Sequence, residues 1–249
     1  MVTLPIYPAR PFRNVFAKCP TCNDMARQPR LIIPRIPHHI TQRGNRRQNV
    51  FFSREDRVLF LELMAEYFDK FSIQTLAYCL MTNHLHIVAV PPELDSFHLG
   101  FKSIFRRYSF RKNRERGWTG HYWEERFFSS PLDENHLVTA VRYVECNPVR
   151  ANMVPRAEDY PWSSAGAHCG LRTDAVLSHD SPWNHSLPSP ECWSAFLASY
   201  SEEELANARK SFRRGLPFGR EEFVQNLEKQ TGRYLRPRTV GRPARPVEC

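Results

Sequence analysis

The chain has 249 residues, with 35 Lys and Arg against 26 Asp and Glu, a formal charge of +9 and 41% hydrophobic residues. This is enough apolar material for a core, which excludes a disordered chain, and no apolar run approaches the roughly 18 residues that a membrane span needs. The basic surplus favours a polyanionic partner, nucleic acid first. Seven scattered cysteines without a secretory leader point away from a disulfide framework and towards the cytoplasm.

Residues 1–24 carry several prolines and no periodicity, and read as a loose arm. Met25 opens a more orderly basic lead-in and is an alternative start. Cys19-Pro-Thr-Cys22 resembles half a zinc site, but no second CxxC or spaced His pair follows it. From Pro37 the signals sharpen. His38 to Gln42 is predicted as a strand ended by a turn at Gly44-Asn45. Ser53 with Asp56 forms a capping box for a helix bearing Phe60, Leu61, Met64, Phe68 and Phe71 at helical spacing. Two strand-like runs follow, Ile73 to Leu80 and His86 to Val90, joined at Thr82-Asn83.

A second helix is expected from Phe97 to Arg114, a short strand at Arg126–Ser129, and a third helix capped by Asp133 or Asn135. The order β-α-β-β-α-β-α predicts an α+β, ferredoxin-like sandwich: an antiparallel sheet with helices on one face, plus a third helix. The second face is left available. Beyond residue 164 the composition shifts: 165–200 reads as a loop-rich linker, and 201–232 as a helical hairpin. It starts at a Ser201/Glu204 capping box and closes at Gly232; 233–249 reads as a basic flexible tail.

Two stretches could carry chemistry. In Asn83-His84-Leu85-His86, residues two apart on a strand share a face, so both imidazoles lie side by side while Leu85 enters the core. Such a pair can hold a divalent cation if a third ligand arrives from elsewhere; it can equally be the solvent side of an amphipathic strand. In Tyr143-Val-Glu-Cys-Asn147-Pro148, Tyr143 and Asn147 lie at i and i+4 on the third helix. A phenol can attack a phosphodiester once it loses its proton, and the Asn147 amide oxygen is a hard donor suited to Mg²⁺ or Mn²⁺. Equally, Tyr143 can be a packing residue. Pro148 disfavours helical geometry at Asn147 and is expected to end or kink the helix. His38 and His39 are adjacent, so at most one looks towards the His pair.

Basic residues supply a candidate binding surface. Lys102, Arg106, Arg107 and Arg111 crowd the second helix, with Phe105, Tyr108 and Phe110 interleaved as stacking or core residues. Arg43, Asn45, Arg46 and Arg47 surround the first turn. Trp123 and His121 are candidates to pack beneath the site, and Arg233, Arg236, Arg238, Arg242 and Arg245 are candidate auxiliary DNA contacts.

From Met25 to Ser164 these blocks together resemble the HUH-class single-tyrosine transposases (IS200-like domain), and within them the REP-associated tyrosine transposases. The resemblance rests on Pro37 to Arg47, Met81 to His86, Arg126-Phe127 and Tyr143 to Val154, in that order. It implies His84, His86 and Asn147 as ligands of Mg²⁺ or Mn²⁺, and Tyr143 as the nucleophile. It also implies cleavage and rejoining of single-stranded, hairpin-associated DNA through a 5′-phosphotyrosine link. Two rivals stand beside it: a non-catalytic binder of single-stranded or structured nucleic acid, and a structural zinc protein using Cys19 and Cys22. The sequence leaves the oligomeric state open.

Overall fold

A computed structural model of the protein describes residues 29–237. The expected arm, the start at Met25, the Cys19 and Cys22 pair and Arg238, Arg242 and Arg245 lie outside those residues. The described chain runs β1 (His38–Arg43), α1 (Arg54–Lys70), β2 (Gln74–Leu80), β3 (His84–Val90), α2 (Ser96–Arg116), β4 (Phe128–Pro131) and α3 (Glu134–Glu145). Five further helices follow: α4 (Asn147–Arg150), α5 (Ala165–His168), α6 (Pro190–Ala198), α7 (Glu202–Phe212) and α8 (Glu221–Thr231). The strands form one sheet of order β2-β3-β1-β4 with every neighbouring pair antiparallel, the ferredoxin-like α+β arrangement.

Local chemistry sets the boundaries. The Ser53 side chain accepts from the Asp56 amide while Asp56 accepts from the Ser53 amide, so α1 begins on the expected capping box. Of the two candidates, Asp133 caps α3, accepting from the His136 amide at 2.8 Å. Gly117 and Gly232 take left-handed conformations that close α2 and α8. β3 begins two residues earlier than the apolar run indicated, at His84, because its backbone pairs with β1 through Arg43. β4 lies two residues later than expected.

Register then decides the two faces. β1 and β3 pair Thr41 with His86, Arg43 with His84 and His39 with Val88, which puts His39, Thr41 and Arg43 on the same face as the His pair. Ile40, Leu85 and Ile87 point the other way. They share a core with Phe60, Met64 and Phe68 of α1 and Phe97, Phe101, Ile104 and Tyr108 of α2, all buried. Each such side chain contributes roughly 1.5–3 kcal/mol relative to exposure. Lys112 continues the buried stripe of α2 and is paired there with Asp56 and Glu115.

The opposite face is covered, contrary to the expectation of a free face. Leu137, Ala140, Val141 and Val144 of α3 pack on Leu76, Val88 and Val90, and Trp193, Leu205, Ala208 and Phe212 join the same cluster. Glu145, fully buried at the end of α3, ties this layer together: it accepts from Ser164 Oγ and from Trp193 Nε1 at 2.7 Å, and pairs with His168 at 2.6 Å. Residues 162–164 run along β2 and bond to its backbone, covering that sheet edge. The 165–200 stretch therefore contains a helix, α6, that loop-like composition concealed. The Ser- and Pro-rich run before it supplied no periodicity, yet Trp193 and Leu197 are buried against α3.

α7 and α8 bury their apolar faces in different places. α7 joins the α3 layer, while Leu227 of α8 packs with Leu31, Ile33 and Leu235. Arg236 pairs with Glu221 and Glu228, so the first described residues of the basic tail dock on α8. Trp123 is not beneath the His pair. It packs with Phe60, Phe105 and Tyr108 on the α1/α2 side, because Gly44 opposite it places it across from the turn. A side chain at Gly44 would collide with the Gln48 carbonyl. No helix among the described residues is long and apolar enough to cross a membrane.

Candidate active site on the histidine face

β3 presents His84 and His86, and α3 crosses the same face and delivers Tyr143. The ring centroids of His84 and His86 are 5.0 Å apart, and Tyr143 meets His86 edge-on at 5.5 Å. α3 ends at Glu145, Cys146 departs from ideal helical geometry, and Asn147 with Pro148 opens the single turn of α4. The break expected at Pro148 is therefore real, yet it does not carry Asn147 away. Its Nδ2 donates to the Tyr143 carbonyl at 2.6 Å and to the Val144 carbonyl at 3.3 Å, which leaves Oδ1 as its free acceptor.

Both imidazoles are held through Nδ1. His84 Nδ1 contacts Asn83 Oδ1 at 2.6 Å, and Asn83 Nδ2 donates to the Arg47 carbonyl at 3.2 Å, which links the first turn to the ring. His86 Nδ1 contacts His39 Nε2 at 2.9 Å. With each Nδ1 donating, each Nε2 keeps its lone pair, the arrangement in which metal-binding histidines are oriented. His39 is itself stacked on Phe212 at 3.9 Å and edge-on to Tyr143 at 5.7 Å. Its Nδ1 is buried with no hydrogen-bond partner.

Burial keeps these rings neutral. Desolvation lowers the pKa of His39 to about 3; desolvation, with the Arg43 charge beside it, lowers His84 to about 4. His86 is driven well below the ordinary range by burial, then by its histidine neighbours and by Arg43 and Arg150. Neutral imidazoles are the ligating form. Among the described residues no three His, Cys, Asp or Glu side chains gather as a metal site. A cation bound at this face would therefore draw on two imidazole nitrogens and an amide oxygen, a donor set compatible with Mn²⁺ and Mg²⁺.

The side chains border a pocket of about 270 Å³. Besides Tyr143, the His pair and Asn147, its walls include His39, Thr41, Arg43, Arg150, Phe212, Arg209 of α7 and Arg213 at the C-cap of that helix. Arg150 lies over the Tyr143 ring at 5.3 Å. The sequence leaves His39 unassigned, because only the β1–β3 register says which of two adjacent histidines faces the pair. Phe212, Arg209 and Arg213 carry no local signal: they reach the site through the packing of a helix some seventy residues beyond Tyr143.

The expected DNA-binding residues divide. Arg43 borders the pocket. Arg46 and Arg47 are exposed in a turn where both adopt left-handed φ, 52° and 61°, conformations that cost an ordinary side chain energy. Asn45 uses its amide to hold the His121 carbonyl at 3.1 Å, which is where His121 belongs rather than beneath the site. Lys102, Arg106, Arg107 and Arg111 sit on α2, across the sheet from Tyr143. Arg107 is paired with Glu66 at 2.8 Å and Arg111 with Glu115 at 2.9 Å, whereas Lys102 and Arg106 are exposed. Of the interleaved aromatics, Tyr108 is core, Phe105 packs against it and Phe110 is exposed.

Residues 33–147, which span Tyr143 and end at Asn147, match the family described as IS200-like transposases. A candidate REP-associated tyrosine transposase of Haemophilus influenzae is 27% identical over 107 residues, which cover 39% of this chain and 61% of that protein's length. The chain thus spans about three-fifths of that relative. A solved structure of a REP-associated tyrosine transposase bound to a REP hairpin superposes with a TM-score of 0.51 at 18% identity. It covers 63% of this chain and 96% of its own, and shows the shared fold.

Proposed function

From residues 33–147, which belong to the IS200-like transposase family, we propose that the protein cleaves and rejoins single-stranded, hairpin-associated DNA with Tyr143 as the nucleophile. The observation that carries this reading is the Tyr143 ring lying 5.5 Å from His86, in one pocket with His84 and Asn147. A tyrosine that served packing alone would not need two neutral imidazoles with free Nε2 atoms beside it. The relative bound to a REP hairpin supports a hairpin-bearing partner.

His84, His86 and Asn147 would hold a divalent cation, Mg²⁺ or Mn²⁺. When bound, it supplies Lewis-acid polarisation of the scissile phosphate and a fixed orientation for it. The remaining work belongs to the chain. Tyr143 Oη attacks phosphorus and the bond to the departing 3′ oxygen breaks, which leaves a 5′-phosphotyrosine and a free 3′-hydroxyl. The P–O bond energy is retained, so a second 3′-hydroxyl can reverse the step and reseal without a nucleotide cofactor. Arg43 and Arg150 place positive charge beside the reacting phosphate, and Asn83 and His39 hold the two imidazole rings in orientation.

The test is incubation with a DNA hairpin carrying a single-stranded arm, with Mn²⁺ or Mg²⁺ and with chelator. The expected result is a free 3′-hydroxyl fragment and a protein-linked 5′ fragment, both lost on chelation. Binding indifferent to chelator, with no cleavage in any metal, would instead support the non-catalytic binder.

A further inference from the structure

The pocket around Tyr143 has four arginines in its walls, Arg43, Arg150, Arg209 and Arg213, and no carboxylate. None of the four forms an ion pair with a described acid, unlike Arg107, Arg111, Arg142 and Arg236 elsewhere on the molecule. Like charges converging on one cavity repel one another unless an anion joins them. Two of the four, Arg209 of α7 and Arg213 at its C-cap, lie outside the family-matched residues 33–147.

α7 is fixed over the site rather than draped near it. Leu205, Ala208 and Phe212 are buried against the α3 layer, and Glu204 pairs with Arg142 at 3.1 Å. Phe212 stacks on His39 and stands edge-on to Tyr143 at 5.2 Å. Arg209 and Arg213, one turn apart on either side of that aromatic, remain exposed at the pocket wall. The apolar face of α7 is thus committed to holding the helix in place, and Arg209 and Arg213 are left exposed.

We propose that α7 completes the active site: Arg209 and Arg213, which line the same pocket as Arg43 and Arg150, form a subsite for phosphates of the DNA strand adjoining the scissile one. Planar guanidinium groups match phosphate oxygens in pairs, and two at i and i+4 can engage successive phosphates of an extended strand. The inference rests on the strand-cleavage reading above. It assigns the helix beyond the family-matched segment a direct part in substrate binding.

The experiment uses Tyr143→Phe protein, which can bind without cutting, and a DNA hairpin with a single-stranded arm. Affinity is measured against salt with and without Arg209→Gln/Arg213→Gln. Each single-strand phosphate contact contributes about 0.7 to the slope of log affinity against log salt. The double substitution should therefore lower that slope by roughly 1.4 and weaken low-salt binding at least about tenfold. Uncharged methylphosphonate linkages walked along the arm should weaken binding at one or two positions in the parent and lose that effect in the double variant. Unfolding midpoints should match, because both side chains are exposed. An unchanged slope, or methylphosphonate effects that persist in the double variant, would overturn the subsite while leaving cleavage by Tyr143 standing. Failure of the parent to bind the arm at all would overturn the function reading and this one with it.

Discussion

On one face of the sheet Ile40, Leu85 and Ile87 share a dry aromatic core with α1 and α2. One residue along the same strands, His39, His84 and His86 meet Tyr143 and a pocket walled by four arginines. Strand periodicity of two makes this possible: a single run of β3 supplies both the core and the reactive surface, with no residue shared between them. The difference teaches where cost and work are separated. The α1/α2 face can supply folding energy because most of its buried polar groups are partnered: Lys112 pairs with Asp56, and the Tyr108 and Tyr122 hydroxyls donate to the Val50 carbonyl. The α3/α7 face holds buried polar groups, one of them the unpartnered Nδ1 of His39, and their desolvation must be offset elsewhere. Slipping β3 by one residue would exchange the two faces and destroy both.

The sharpest way to break this comparison is to remove a histidine. His84→Ala should abolish Mn²⁺ binding measured by titration calorimetry. It should also cut strand cleavage by roughly a hundred- to a thousandfold, the value of several kcal/mol of Lewis-acid stabilisation. The urea midpoint should hardly move. A large loss of stability with cleavage retained would mean that the His pair is structural.

The mirror experiment is Phe60→Ala on the opposite face. Truncating a fully buried aromatic in a packed core should cost about 3–5 kcal/mol by urea unfolding. The Mn²⁺ affinity of the folded protein should be unchanged, since Phe60 lies across the sheet from the pair. An altered affinity would show the faces to be coupled.

A graded effect comes from acid. His39 and His84, held at about 3 and about 4 by burial, stay neutral in the folded protein while their unfolded counterparts take up protons near 6.5. Between those values the unfolded chain binds more protons. Stability therefore rises with pH, and is lost as pH falls from 6.5 towards 4, by at most roughly 1.4 kcal/mol per pH unit for each imidazole. Urea midpoints taken across that window should fall accordingly, and His84→Asn should flatten the slope. A flat profile in the unmodified protein would show the rings to be solvated.

Much of this was legible in the chain. Capping at Ser53 and Asp133, the glycine stops and the period-two placement of His84 and His86 are local chemistry, and local chemistry is written in adjacent residues. Tyr143 and Asn147 also stay together, through the bond from Asn147 Nδ2 to the Tyr143 carbonyl, although α3 ends between them. What escaped is what depends on register and on distant packing. His39 was ambiguous until β1 was paired with β3. α2 looked like a DNA-binding helix because its basic residues are dense, yet its apolar stripe commits it to the face away from Tyr143, and two of its arginines are occupied by Glu66 and Glu115. The expectation of an open sheet face failed because α3 and α7 pack on it, a tertiary contact that neither helix announces locally, while α6, from the stretch that reads as a linker, buries Trp193 and Leu197 in the same layer.

The claim on which the rest depends is that Tyr143 forms the covalent link. Protein incubated with a hairpin DNA and Mn²⁺ can be digested and the DNA-bearing peptide identified by mass spectrometry. The expected result is one modified peptide, carrying its nucleotide on Tyr143, and none from Tyr143→Phe protein of normal stability. An adduct that survives in Tyr143→Phe, or that maps to another residue, would contradict it.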